Sequence, residues 1–109
     1  MRYCLAILLI LLAGPAFASD VATQKARRAQ IDDFRAGAVL DKLEKPGVFA
    51  YLIVGPKFSD LSFDDKKAVA AVVFAYVTEE DRTVSTLGLL EPHSGRRIGH
   101  FDRYGLKLE

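Results

Sequence analysis

The stretch between residues 48 and 77 constrains the fold most. It opens with VFAYLIV, dense in β-branched and aromatic side chains, and stops at Gly55-Pro56, so it reads as a buried strand. A different pattern starts a few residues later. Ser62 is a good N-cap, Asp65 stands at the reciprocal capping position, and Asp64 and Asp65 suit the positive end of a helix. Val69, Val72, Val73, Tyr76 and Val77 then recur at helical spacing and form an apolar stripe. Glu79, Glu80 and Asp81 are poor neighbours for a helix C-terminus, so the helix is predicted to end by about Thr78. A strand followed closely by a capped, core-facing helix calls for a helix layer packed on a sheet.

The flanking segments extend that layer. Residues 22–35 are rich in Ala, Gln, Lys and Arg and predict a helix, lightly docked because Ala26, Ile31 and Phe34 are its sparse apolar positions. Gly37 interrupts it. Residues 39–44 admit two readings. Ala36, Val39, Leu40 and Leu43 keep helical spacing, whereas Lys45-Pro46-Gly47-Val48 fits a type II turn that would join a strand to the next segment. The balance is nearly even and tips towards a helix up to Gly37 with a short strand after it. Residues 83–90 and 97–101 read as strands joined by EPHSGRR, in which Pro92 presets φ and Gly95 supplies a left-handed residue. The tail around Tyr104 and Gly105 adds a short edge strand. The sum is a small two-layer α+β domain, with two helices on a mostly antiparallel sheet of roughly three or four strands.

The front of the chain carries an address. MRYCLAILLILLAGPAFASD has Arg2 and a free amine before an apolar run, a helix-breaking Gly14-Pro15, and a small-x-small site at Ala16-Phe17-Ala18. The run is shorter than the roughly 20 residues that span a bilayer. Residues 1–18 are therefore expected to be a cleavable signal peptide cut after Ala18. Residues 19–109 then form a single exported domain, periplasmic or secreted, with no integral membrane segment. Cleavage removes Cys4, the one cysteine, so thiol chemistry and disulfides leave with the signal. It also removes Arg2 from a total of 15 Lys and Arg, which then balances 14 Asp and Glu. A neutral domain without a basic stripe argues against a nucleic-acid partner.

Three stretches together carry a resemblance: VGPKFSDLSFDDKKAVAAVVFAY, LLEPHSGRRIGHFD and the closing GLKLE. Gly55, Pro56, Phe58, Leu61, Asp65, Lys66, Tyr76, Gly95, Gly99, Gly105 and Leu106 bear the pattern. It resembles a group of small exported bacterial proteins of uncharacterised function, and its hairpin portion is similar to that of PepSY-type domains. Glu91 and Ser94 depart from the Asp and Thr more usual in such turns. The resemblance implies export and a similar fold, and it carries no activity across.

Catalytic chemistry finds little support in the residues. Ser62 is better explained as a cap and Ser94 as a turn residue, and neither lies in a Gly-x-Ser-x-Gly elbow. His100 and Asp102 fall on one strand face, which leaves Ser94, His100 and Asp102 as the only imaginable triad. His93, His100 and Asp102 are too few and too widely spaced for a zinc site. The acid runs Asp32-Asp33, Asp64-Asp65 and Glu79-Glu80-Asp81 are better explained as solvated helix ends, where neighbours diverge, than as a carboxylate pair across a cleft. GRRIG is no phosphate loop. No cofactor or metal is expected.

One local excess remains. His93, Arg96, Arg97, His100 and Arg103 crowd the last hairpin against Asp102. Guanidinium groups recognise carboxylate and phosphate bidentately, so these five form the expected binding patch. The competing explanation is that the arginines guard a strand edge or pair with Glu91 across the turn. The residues thus favour a binding module over an enzyme, engaging an envelope protein or an anionic polymer through the hairpin or a sheet edge. A small hydrolase with a dispersed site, or a subunit whose strand edges self-pair, are the alternatives.

Overall fold

The structure, a computed structural model, describes residues 20–109. The expected signal segment with Cys4, and the cleavage point after Ala18, lie outside the described residues. Helix α1 spans Asp20–Ala36. Its end is built by two nested backbone bonds, Val39 N–H to Phe34 O at 2.9 Å and Ala38 N–H to Arg35 O at 3.1 Å. This closure needs a left-handed residue at position 38, and Ala38 takes it with φ 62°. Phe34 and Val39 are both buried, supplying the apolar contact that accompanies such a cap. The cap ends the helix before residue 39 and lets the chain turn into strand β1, Leu40–Glu44.

Strand β1 pairs antiparallel with β2, Ala50–Val54, with the extra residue of a bulge at Asp41. In the turn between them, Phe49 N–H reaches Pro46 O at 3.4 Å and Gly47 has φ 70°. Gly47 and Val48 are therefore the central pair, one position later than the expected Pro46-Gly47 turn. A 3-10 turn, Phe58–Asp60, buries Phe58 and leads into helix α2, Phe63–Glu80. Ser62 Oγ accepts the Asp65 N–H at 3.2 Å, as an N-cap should. The helix runs past Thr78 because its terminal acids find cations. Glu79 meets Arg82 at 3.0 Å, and Asp81, just beyond the helix, meets Lys45 at 2.7 Å.

Strand β3 is Leu87–Leu90, shorter than the expected 83–90. Asp81 explains the loss: its Oδ1 accepts the Thr83 N–H at 2.9 Å and the Thr83 hydroxyl. That turn, with Val84 N–H bonded to Asp81 O at 3.2 Å, removes these residues from strand pairing. Strands β4, Arg97–Asp102, and β5, Gly105–Leu108, follow as a meander. The sheet order is β1-β2-β3-β4-β5, with β2 and β3 parallel across the α2 crossover and every other pair antiparallel. The fold is thus the expected α+β layer, with five strands rather than three or four.

Register decides the faces. Ala50 faces Leu87, Leu52 faces Leu89, and Phe101 stands between Leu87 and Leu106. On that face they join Ile31 and Phe34 of α1 and Val69, Ala70 and Val73 of α2 in one core cluster. Each fully buried Leu or Phe there contributes about 1.5–3 kcal/mol. Phe74 of α2 meets Phe101 with ring centroids 5.3 Å apart. The other, open face carries no helix among the described residues, and Glu44, Tyr51, Gly88, His100 and Lys107 form one row across it. Gly88 has a packing reason, since a Cβ there would come within 2.9 Å of Tyr51 Cδ1.

Candidate functional site

The five expected binding residues divide between the two ends of β4. His93 and Arg96 are exposed in the β3–β4 turn, and Arg97 begins the strand with its guanidinium 2.8 Å from the Glu109 carboxylate. Arg103 lies in the β4–β5 turn, folded over Tyr104 with its charge 4.9 Å from the ring centroid and Nη2 2.8 Å from the hydroxyl. At about 3.3 Å per residue the strand separates the two groups by roughly 20 Å. Half-buried His100 sits between them. The structure therefore leaves His93 and Arg96 in one turn and Arg103 beyond the other end of the strand.

Glu91 pairs with neither turn arginine. Its Oε1 accepts Ser94 N–H at 2.7 Å, Ser94 Oγ at 2.9 Å and His93 N–H at 2.9 Å. The Ser94 amide first, then its hydroxyl, hold this carboxyl below the usual range, because both bind the charged form. Gly95, with φ 71°, returns its N–H to Glu91 O at 2.9 Å. Glu91 thus builds the turn, and the Ser94 hydroxyl is spent on it. His100 Nε2 stands 4.0 Å from Asp102 Oδ2, beyond hydrogen-bond reach, and His100 Nδ1 is buried without a partner among the described residues. Ser94, His100 and Asp102 do not assemble. Among the described residues no three His, Cys, Asp or Glu come close enough to hold a metal ion.

Two of the concavities formed by the described residues bear on recognition. The first, about 600 Å³, lies beyond the carboxyl ends of the parallel strands β2 and β3. It joins Pro56 and Phe58 of the Gly-Pro-x-Phe run to Pro92 and His93 of the hairpin turn, with Asp41 and Glu91 as its carboxylates. The segments that carry the sequence resemblance therefore meet there. Its lining is apolar and acidic, and Glu91 is already committed to the turn.

The second concavity is a groove of about 500 Å³ between α1, α2 and β1. Leu43, Val77 and the Tyr76 ring give it an apolar floor, and Arg28, Arg35, Lys42 and Lys45 surround that floor against Glu44 and Glu80. The cations differ in freedom. Arg28 donates to Tyr76 Oη at 3.1 Å and stands 3.6 Å from Asp32. Lys42 lies 3.3 Å from Glu44, and Lys45 donates to both Asp81 and Gly47 O. Arg35 has no ion pair and no side-chain hydrogen bond among the described residues.

No protein-family model, curated protein or solved structure matches the chain. The groove was not visible to sequence reasoning, because its cations come from α1, β1 and the segment after β1. One signal was there. Arg28 and Arg35 are two helical turns apart, which puts both on one face of α1. Among the described residues no helix is long and apolar enough to cross a membrane.

Proposed function

We propose that the chain is a non-enzymatic binding module of the cell envelope that holds an acidic protein segment in the groove between α1, α2 and β1. Arg35 carries the reading: an unpaired guanidinium beside an apolar floor is ready to accept a carboxylate without breaking an existing ion pair. The floor of Leu43, Val77 and Tyr76 favours a ligand that brings apolar side chains with its charge, which a peptide does and a bare polyanion does not. Export to the envelope rests on residues 1–18. The groove replaces the hairpin as the anion site, because Arg97 is held by Glu109 and Arg103 lies at the far end of β4.

A photo-crosslinking residue at Glu80, on the groove rim, tests this in intact cells. The expected capture is an acidic envelope protein, lost when Arg35→Glu is added and kept when exposed Arg96→Glu is added instead. Capture unaffected by Arg35→Glu, or a partner without an acidic segment, would contradict the reading.

A further inference from the structure

Strand β1 stands at the edge of the sheet, so one side of its backbone pairs with β2 and, among the described residues, the other has no strand beside it. Such an edge is a template for another strand unless its charges oppose pairing. The sequence here is Asp41-Lys42-Leu43-Glu44-Lys45, and its charges invert about Leu43. Each residue on one side of Leu43 mirrors a residue of opposite sign on the other. An antiparallel pair of two such strands, with Leu43 facing the partner's Leu43, sets Lys42 against the partner's Glu44 and Glu44 against the partner's Lys42, while the bulged Asp41 and Lys45, held by Asp81 at 2.7 Å, lie outside the pairing. Opposite charges directly across a strand pair are favourable and like charges unfavourable. This edge therefore matches a second copy of itself in that register, whereas a shift of two residues sets Lys42 or Glu44 against its own copy.

We propose that two copies of the chain pair through β1 into a two-fold symmetric dimer with one continuous sheet. Three observations support it. Lys42 and Glu44 are both about half-exposed, and they lie 3.3 Å apart on the open face of the sheet. Pairing adds the partner's Glu44 and Lys42 to make an alternating four-membered cluster. Leu43 faces the opposite way, towards the helices, in register with buried Leu52 and on the floor of the groove. In the dimer the partner's Leu43 covers its half-exposed side, and a two-fold axis through this pair makes the contact isologous and closed. The bulge at Asp41 ends the regular ladder, so the pairing is confined to the segment centred on Leu43. The other sheet edge lacks this match, because β5 carries Lys107 as its one charged residue and so has no pair of opposite charges about a centre.

The dimer goes beyond the groove reading; it shares Lys42, Leu43 and Glu44 with the groove but makes no use of Arg35, so the two readings are tested apart. Light scattering of the purified protein over a concentration series supplies the test, with circular dichroism confirming that each variant is folded. The wild type should approach twice the monomer mass. Lys42→Glu alone sets Glu against the partner's Glu44, and Glu44→Lys alone sets Lys against the partner's Lys42, so each should be monomeric. Mixing these two variants should restore a dimer, now a heterodimer, because every facing pair is again opposite in sign. The double variant Lys42→Glu/Glu44→Lys should dimerise by itself. Arg35→Glu, which removes the groove cation, should leave the mass unchanged. A wild type that stays monomeric at every concentration, a single-reversal variant that still dimerises, or a mixture that stays monomeric would each overturn the proposal.

Discussion

Ala38 takes a left-handed conformation that costs a residue with a Cβ about 1 kcal/mol relative to glycine. The chain has a glycine next door, at position 37, but the nested cap fixes the left-handed site at the residue whose N–H bonds Arg35 O, and that residue is Ala38. Ala38→Gly should therefore stabilise the domain, by up to about 1 kcal/mol or roughly 4–8 °C in melting temperature. An unchanged or lower midpoint would show that the cap is relaxed in solution. Gln30 poses the opposite case. It is 1% exposed, and its Nε2 has no hydrogen-bond partner among the described residues. A buried unsatisfied amide costs about 1–3 kcal/mol, and a side chain of similar length without the amide escapes that cost. Gln30→Met is expected to raise the melting temperature, and a clear fall would mean that a water holds the amide.

At the scale of elements, the residues that announced themselves are those whose job is local. Ser62 bonds the amide expected of a cap, Gly95 adopts positive φ in its turn, and residues 22–35 form a helix because their propensities agree. What escaped was set by partners distant in sequence. The late end of α2 depends on Lys45 reaching Asp81, and the shortened β3 on Asp81 capturing Thr83. Arg97 could not be placed without knowing that β5 returns Glu109 beside it. The candidate groove is the extreme instance, since it is assembled from elements spread between residues 28 and 80.

The β3–β4 turn gives this scale a pH signature. Glu91 has its carboxyl held below its ordinary value of 4.5 by the Ser94 amide and hydroxyl. A group whose folded pKa is depressed stabilises the fold above its unfolded pKa and loses that contribution as pH falls through the folded value. Wild type should accordingly be more resistant to urea than Glu91→Gln at neutral pH. The gap should narrow below about pH 4.5 and vanish once the carboxyl is protonated in both states. A gap that is constant with pH would show that the turn does not depend on the carboxylate charge.

For the whole molecule, two helices cover one face of a five-stranded sheet, and the β1 side of that layer is where its helices leave a groove. Among the described residues the same side carries the unpaired strand edge and an arginine without an ion pair, so the two proposed forms of recognition share one flank. Recognition through Arg35 is electrostatic and should weaken as salt screens it. The most direct measurement is a binding titration of a fluorescent Glu- and Leu-rich peptide against wild type and Arg35→Glu at low and physiological ionic strength. The groove predicts saturable binding that weakens with salt and falls at least about tenfold, or 1.4 kcal/mol, in Arg35→Glu. Equal affinity in the two proteins, or affinity indifferent to salt, would contradict it.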